Sequence, residues 1–132
     1  MVYHTTICNM KKILIVEDES TLQKTLGDIL SQEGYKVVSA LDGEVGVRLA
    51  KEQKPDLVLL DLVLPKMTGF EVLEQMRSAE DTKGIPVIVL TNLEKMEDIQ
   101  RATELGATTY LVKSNYELQE VVEKVKTVFG NS

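Results

Sequence analysis

The sequence predicts an α/β fold in which short strands alternate with helices and form one parallel sheet. Two observations lead to this prediction. Apolar runs of about four residues, at positions 13–16 and 57–60, are typical of strands that are buried on both faces. Between such runs, apolar residues recur at the three- and four-residue spacing of an amphipathic helix. Because strand and helix alternate five times, we expect helices on both faces of the sheet.

Five segments of the chain have the composition of strands. They cover residues 12–16, 35–40, 56–61, 87–90 and 108–112. Right-handed crossovers leave few ways to order five parallel strands. The flavodoxin-like order 2-1-3-4-5 is the leading choice, and it places the first and third strands side by side at the switch point of the sheet.

The helices are predicted from their apolar stripes and from the residues at their ends. The first begins at Ser20, which with Gln23 has the form of a capping box, and it ends at Gly34. Asp42 caps the second helix, which stops before Pro55. The later helices cover residues 69–80 and 94–105 and a segment from about residue 115 onward. One side of the fourth helix carries Met96, Ile99, Ala102 and Leu105.

Length and composition limit the function classes. The chain has 132 residues, of which 43% are hydrophobic and 27% charged, as expected for one globular domain. We assign that domain to residues 10–130, and residues 1–9 to a mobile N-terminal extension. A net charge of −6 argues against direct binding of nucleic acid or of an anionic membrane surface. A single cysteine, Cys8, and the lack of a signal sequence favour a cytoplasmic location.

Side chains that can do chemistry follow the predicted strands. Glu17 and Asp18 come after the first strand, Asp61 ends the third, Thr91 follows the fourth and Lys113 follows the fifth. Open α/β sheets place their sites at the carboxyl ends of the strands. We therefore expect an acidic pocket with one cationic edge and a hydroxyl group at its rim.

The acidic pocket predicts a metal ion and an anionic ligand. Carboxylates that lie close together repel one another and need a cation, and hard oxygen ligands suit Mg²⁺, which completes its shell with phosphate oxygens. A carboxylate can also attack phosphorus and form an aspartyl phosphate. Asp61 is the best candidate nucleophile because it stands alone at a strand end before a loop. Glu17 and Asp18 then serve the metal, and Lys113 adds a second positive charge.

Taken in order, these residues resemble a response-regulator receiver domain of two-component signalling. The resemblance covers about residues 10–130. It is carried by Val16-Glu17-Asp18-Glu19, by Asp61 with Leu64-Pro65 and Gly69, by Thr91, and by the segment from Tyr110 to Lys113. The resemblance implies a phosphorylation-dependent switch that is not an enzyme beyond slow autodephosphorylation. Its phosphodonor would be the phosphohistidine of a sensor histidine kinase or of a histidine phosphotransfer protein.

The resemblance also implies a role for each site residue. Asp61 would accept the phosphoryl group, and Asp18, Asp61 and the backbone carbonyl of Val63 would ligate Mg²⁺, with Glu17 acting through water. Lys113 would contact the phosphate, and Thr91 would move to hydrogen-bond it. Tyr110 would then change rotamer and alter the face formed by the fourth helix, the fifth strand and the fifth helix. That face would bind an output partner protein of unknown identity or a second copy in a homodimer.

Three features depart from the usual family pattern. Ser114 stands where the family has a proline, often in a cis bond, so the geometry of the bond that precedes it is open; Ser114 and Glu117 could instead cap the last helix. Asn92 is larger than the residue that the family favours there. Val63 and Leu93 are apolar and cannot orient a water molecule. We therefore predict a comparatively long-lived aspartyl phosphate.

Three other function classes share parts of this pattern. A phosphatase-like enzyme would also use an aspartate nucleophile and Mg²⁺, but the chain has no room for a cap over the pocket. A degenerate receiver would be an unphosphorylated interaction module, which the intact site residues argue against. A flavin carrier would need a phosphate loop rich in Ser, Thr and Gly after the first strand. The sequence does not decide whether the chain works alone through a partner or was cut from a longer protein.

Overall fold

The computed structural model describes residues 10–130, which form five parallel strands that alternate with five helices. The strands are β1 (Lys12–Val16), β2 (Lys36–Ala40), β3 (Leu57–Leu60), β4 (Val87–Thr91) and β5 (Thr109–Val112). The helices are α1 (Ser20–Gln32), α2 (Gly43–Gln53), α3 (Gly69–Ser78), α4 (Met96–Glu104) and α5 (Leu118–Val128). The strand order β2-β1-β3-β4-β5 confirms the predicted topology. The extension predicted for residues 1–9 lies outside the described residues.

The sheet has a separate apolar core on each face, because successive side chains of a strand point to opposite faces. Leu14, Val58 and Val89 face the core that is formed with α2, α3 and α4. Ile13 and Ile88 face the other core, which is formed with α1 and α5. All four residues of β3 and all five of β4 are buried, which explains why these strands read as unbroken apolar runs. No helix between residues 10 and 130 is long and apolar enough to cross a membrane.

The register of the strands brings their carboxyl ends to one edge of the sheet. Val16, the last residue of β1, pairs with Ala40 of β2 and with Leu60 of β3. At the other side, Thr91 of β4 pairs with Val112 of β5. The residues that follow β1 and β3 therefore leave the sheet at the same height, which is the condition for a site there.

Three local predictions about helix ends are wrong. Ser20 is the first residue of α1 rather than its cap; the N-cap is Glu19, and Gln23 is buried instead of closing a capping box. The fourth helix, predicted from residue 94, starts at Met96, whose side chain is 74% exposed. Ser114 lies in a one-turn 3-10 helix (Lys113–Asn115), so it cannot cap α5.

Other predicted features are confirmed or settled. The Asp42 carboxylate caps α2 by accepting the Val45 N–H at 2.9 Å. A capping box between Glu117 and Glu120 begins α5 in place of the one predicted at Ser114. The peptide bond before Ser114 is trans, as are all others in the described part of the chain.

A partly buried guanidinium group joins two loops at the edge of the sheet opposite to the site. Arg77, near the end of α3, donates to the carbonyl oxygen of Gly106 at 2.7 Å from one terminal nitrogen. Its other terminal nitrogen donates to the carbonyl oxygens of Ile85 at 2.8 Å and Lys83 at 3.0 Å. Because Gly106 directly follows the C-cap of α4, Arg77 anchors the end of that helix.

Candidate functional site

Three carboxylates that the sequence places after β1 and β3 meet in the structure. Oxygen atoms of Glu17, Asp18 and Asp61 all lie within 4.8 Å of one another. Glu17 is 3% exposed and Asp61 6% exposed, whereas Asp18 is open to solvent. Two of the three carboxylates are therefore buried and the third is accessible, which leaves a route for a ligand to enter. We call Glu17, Asp18 and Asp61 the acid cluster.

Lys113 reaches the acid cluster from the end of β5, the edge strand on the other side of β4. Its Nζ atom lies 2.7 Å from Oε1 of Glu17 and 2.9 Å from Oδ2 of Asp61. The 3-10 turn that follows β5 begins at Lys113 and directs its side chain across β4. The trans bond before Ser114 is compatible with this reach, so the proline that the family has after the lysine is not needed for it.

Burial and charge act in opposite directions on these groups. Burial raises the pKa of Glu17, although hydrogen bonds from Lys113 and from the Glu19 N–H favour its charged form. Burial alone would lower the pKa of Lys113, but its hydrogen bonds to Glu17 and Asp61 outweigh that effect and raise the pKa. Lys113 is therefore a fixed positive charge at neutral pH.

The acid cluster fits a small divalent cation. All its donors are carboxylate oxygens, which are the ligands that Mg²⁺ prefers. Three negative charges and the one positive charge of Lys113 leave a local net charge of −2 when all the groups are ionised. One bound divalent cation would balance that charge. The residues present thus fit the metal that the sequence predicts.

The loop between β3 and α3 fixes the second oxygen of Asp61. Oδ1 accepts a hydrogen bond from the Val63 N–H at 3.1 Å, so each carboxylate oxygen of Asp61 has its own donor. The side chain of Val63 is 58% exposed and points away from the core. The loop ends at Thr68, which forms a capping box with Glu71 and begins α3.

Two glycines allow the backbone around Asp61 to pack closely. A Cβ atom at Gly69 would overlap the carbonyl oxygen of Asp61 and lie 2.5 Å from Cα of Leu62. A Cβ atom at Gly43, the first residue of α2, would overlap the carbonyl oxygen of Met67 in the same loop. The loop is therefore held from two sides by contacts that no other residue type permits.

Thr91 and Tyr110 both contact Leu93, which follows β4. The hydroxyl of Thr91, which is fully buried, accepts the Leu93 N–H at 3.5 Å. The hydroxyl of Tyr110 donates to the Leu93 carbonyl oxygen at 2.9 Å. Burial raises the pKa of Tyr110, and the negative charges of Asp98 and Asp61 act in the same direction. The two residues that the sequence assigns to a switch thus share one backbone segment.

A surface cavity lies beside that segment, and no member of the acid cluster is among its lining residues. Its volume is about 520 Å³. The cavity is lined by Asn92, Leu93, Glu94, Lys95 and Asp98. The side chain of Asn92 lies at the wall of this cavity and is exposed.

Two residues near the site were not identified from the sequence. The role of Gly43 was not predicted, because a glycine that follows a helix N-cap gives no sign in the sequence of the residue that packs against it. Gln23 was assigned to a capping box, although a polar residue within the apolar stripe of α1 was the signal that could have marked it. The predicted roles of Glu17, Asp18, Asp61, Val63, Thr91, Tyr110 and Lys113 stay predictions.

Comparison with known proteins places this geometry in a family. Residues 13–126 match the family model for the response regulator receiver domain. The DNA-binding dual master transcriptional regulator RpaA of Synechocystis is 37% identical over 119 residues, which cover 90% of this chain and 49% of that protein. The protein PilH of Pseudomonas aeruginosa is 38% identical over 104 residues, which cover 79% of this chain and 86% of that protein. The chain spans about half the length of RpaA and of several other curated regulators that it matches.

Solved structures have the same fold. The receiver domain of the sensor histidine kinase PA1611 from Pseudomonas aeruginosa, with a magnesium ion coordinated in its active-site cleft, superposes with a TM-score of 0.83 and is 29% identical. The match covers 92% of this chain and 98% of that one. With its matched residues, its strand order and its acid cluster, the chain belongs to the response-regulator receiver domains of two-component systems.

Proposed function

We propose that this receiver domain is a phosphorylation-dependent switch in which Asp61 accepts a phosphoryl group in the presence of Mg²⁺. One observation supports the proposal more than any other: the carboxylate of Asp61 is 6% exposed and lies between the Lys113 ammonium group and the Val63 N–H, beside two further carboxylates. A buried carboxylate with a fixed cation and a fixed amide donor is oriented for attack rather than for solvation.

The transfer step follows from this arrangement. An oxygen of ionised Asp61 attacks the phosphorus of a phosphohistidine, so that an O–P bond forms as the P–N bond breaks. The electron pair of the P–N bond stays on the imidazole nitrogen of the donor, which takes up a proton. Lys113 lies close enough to Asp61 to stabilise the charge on the phosphoryl oxygens. The donor that we propose is a sensor histidine kinase or a histidine phosphotransfer protein.

The acid cluster would hold the metal for this step. Asp18, Asp61 and the carbonyl of Val63 would be its direct protein ligands, and Glu17 would act through water. Mg²⁺ supplies charge neutralisation and alignment to the phosphoryl group when it is bound. The exposed position of Asp18 supports this assignment, because a metal that keeps several waters must reach its ligands from solvent.

Thr91 and Tyr110 would carry the signal away from Asp61. We propose that the Thr91 hydroxyl turns toward the phosphoryl group and releases the Leu93 N–H, which is a long contact of 3.5 Å. Because Tyr110 donates to the carbonyl of the same residue, a shift of that segment would change the environment of the Tyr110 ring. The altered face consists of α4, β5 and α5, and it would bind an output partner protein or a second copy of the chain.

Several further assignments belong to the same proposal. The receiver domain would occupy residues 10–130. It would act in the cytoplasm and would itself bind neither nucleic acid nor membrane, in keeping with a net charge of −6. The reported relatives are regulators and receiver domains, which favours a switch over the phosphatase-like alternative. A degenerate, unphosphorylated receiver is the alternative that an experiment must exclude.

The test is phosphorylation of the purified chain with acetyl phosphate and Mg²⁺, followed by intact mass measurement. We expect a single phosphoryl adduct that disappears in Asp61→Asn and when the metal is chelated. Asp56→Asn is the matched control, because Asp56 lies at the opposite end of β3 and binds the Lys12 N–H at 2.8 Å; it should keep the adduct.

Each other outcome rejects part of the proposal. No adduct in the parent chain would favour the degenerate receiver. An adduct that survives in Asp61→Asn would move the acceptor to another residue. Fast release of many equivalents of phosphate per chain, without accumulation of the phosphoryl adduct, would favour the phosphatase-like enzyme.

A further inference from the structure

Gln23 is a buried polar residue on the face of α1 that packs against the sheet. It is 6% exposed, and it lies one turn before Leu26 and two turns before Leu30, both of which belong to the core on that side. Buried polar side chains need hydrogen-bonding partners, so the partners of this amide indicate what it does.

The amide nitrogen of Gln23 contacts three backbone carbonyl oxygens at the carboxyl edge of the sheet. Nε2 lies 3.0 Å from the oxygen of Ala40, 3.1 Å from that of Ile15 and 3.2 Å from that of Glu17. A side-chain amide has two N–H donors, so three acceptors share them. The group thereby connects the ends of β1 and β2 with the first residue after β1.

The amide oxygen has no such role. Oε1 of Gln23 is buried and has no hydrogen-bonding partner among residues 10–130. An unpaired buried oxygen lowers the stability of the folded state, a penalty that an apolar side chain of similar size would avoid. The contacts of the nitrogen, rather than those of the oxygen, are therefore what distinguishes glutamine from methionine at this position.

One of the three acceptors belongs to the acid cluster. The carbonyl of Glu17 is part of the peptide unit that joins Glu17 to Asp18, and a peptide unit is planar. A donor that fixes the oxygen also fixes the direction in which the chain enters Asp18. The Glu17 carboxylate has further partners in Lys113 and the Glu19 N–H. The Asp18 carboxylate has none in the described part of the chain, so its position depends on the backbone.

We propose that Gln23 is a positioning residue of the metal site. Its amide holds the peptide between Glu17 and Asp18 from the buried side, so that the Asp18 carboxylate is presented to Mg²⁺ beside Asp61. This inference rests on the proposed function, since it concerns the affinity for the metal that the acid cluster would bind. It assigns no contact between Gln23 and the metal or the phosphoryl group.

The inference predicts a specific defect in Gln23→Met, which removes the donor and keeps the approximate size of the side chain. The dissociation constant for Mg²⁺, measured by calorimetry without a phosphodonor, should rise about tenfold, as is typical when a supporting group behind a metal ligand is lost. Leu26→Met is the matched control on the same face of α1, and it should stay within twofold of the parent. Amide exchange of Glu17, whose N–H donates to the Ala40 carbonyl oxygen at 3.0 Å, should be faster in Gln23→Met alone when it is followed without metal.

Phosphorylation by acetyl phosphate separates positioning from general damage. In Gln23→Met the rate should fall at low Mg²⁺ and return to within twofold of the parent at saturating Mg²⁺. Should Gln23→Met fail to fold, Gln23→Asn retains the amide on a shorter stem and should show a smaller loss of affinity.

Two results would overturn the inference: an Mg²⁺ dissociation constant in the Gln23 variants within twofold of the parent, or an equal weakening in Leu26→Met. Failure of the parent chain to bind Mg²⁺ or to take a phosphoryl group would instead refute the proposed function. The two failures are thus distinguishable, because the parent is measured first.

Discussion

The carboxyl edge of the sheet has two halves that are held in different ways. Around β1 and β3, the loop after Asp61 is packed so closely against Gly43 and Gly69 that a single methyl group would overlap backbone atoms. Around β4 and β5, the segment after Thr91 is held by the bond from Tyr110 to the Leu93 carbonyl, and it is flanked by an open cavity. Within α4, all of which is described, Ala102 is the one buried residue.

This difference matches two demands on the switch that we propose. A group that reacts must be held in one geometry, because a small misplacement of a nucleophile slows the reaction greatly. A segment that reports the reaction must instead have two arrangements of similar free energy. The first half of the edge therefore has dense backbone contacts, and the second half has few contacts to break.

The largest effect is expected from Lys113→Met. The backbone of Lys113 belongs to the second half of the edge, and its ammonium group neutralises negative charge of Glu17 and Asp61 in the first half. The substitution leaves Glu17 and Asp61 close together without their cation. We expect the free energy of unfolding to fall by about 3 kcal/mol in the absence of metal, measured by urea denaturation. Mg²⁺ should stabilise the variant more than the parent, because the metal then meets more uncompensated charge.

Lys126→Met is the control for the loss of an ion pair. Lys126 contacts Glu33 at 2.9 Å, but both side chains are about one-third exposed. Its removal should change stability far less, since exposed pairs are screened by solvent. Equal effects of the two substitutions would show that the acid cluster is not under electrostatic strain.

A smaller loss of stability is expected from Gly69→Ala. The added methyl group overlaps the Asp61 carbonyl, so either the loop or α3 must shift, at a cost of about 2 kcal/mol. Phosphorylation by acetyl phosphate should slow along with the loss of stability, because the shift moves Asp61 itself. Gly84→Ala, where a methyl group would meet no atom within 4 Å, is the control and should match the parent in both measurements. A normal rate in Gly69→Ala would mean that the rigidity of this half is not needed for the chemistry.

The double substitution Val63→Asn and Leu93→Glu places a polar group on each half of the edge. If these positions fail to orient water in the parent because they are apolar, the phosphorylated double variant should lose its phosphoryl group roughly tenfold faster. The decay is followed by intact mass after the donor is removed. Leu41→Glu, in the loop after β2, adds an exposed charge at the same edge and should leave the decay unchanged. An unaltered decay in the double variant would refute the prediction of a long-lived aspartyl phosphate.

The smallest effect is expected from Tyr110→Phe, which removes the hydroxyl that holds the second half. The loss of one hydrogen bond to the Leu93 carbonyl should lower stability by about 1 kcal/mol. Amide exchange should become faster from Leu93 to the first turn of α4 and stay unchanged around Asp61. Tyr35→Phe is the control, because Tyr35 packs against Phe129 at the opposite end of the molecule. Faster exchange at Asp61 as well would indicate that the two halves are not held independently.

The residues of the first half show what a sequence can and cannot predict. The meeting of Glu17 with Asp61 was predictable, because strands 1 and 3 are neighbours in the expected order and end at the same height. The arrival of Lys113 at the same pocket was also expected from strand ends, since a long side chain can cross one strand. Its contact with Glu17 was not predicted. Gly43 and Gln23 were not assigned, because their roles depend on backbone atoms that only the fold brings close. Gly43 packs against Met67, 24 residues away, and Gln23 contacts carbonyl oxygens that are 6 to 17 residues away in the sequence.

The second half shows a different limit. Apolar periodicity placed Met96 on the buried side of the fourth helix, yet its side chain is exposed. Periodicity assumes that a helix lies against the sheet over its whole length, and α4 makes that contact near Ala102 and Leu105 but not at its start. Weak packing in this segment is a property of the assembled fold rather than of the local sequence.

The guanidinium group of Arg77 anchors one end of α4 and leaves the other end free to move. It fixes the backbone at Gly106, just past the last turn of the helix, while the first turn begins at Lys95 without a side-chain cap. A displacement that starts at Leu93 would therefore rotate α4 about its far end, with the largest travel at Met96 and almost none at Leu105. A partner that contacts the first turn would sense phosphorylation strongly, and one that contacts the last turn would bind both states alike.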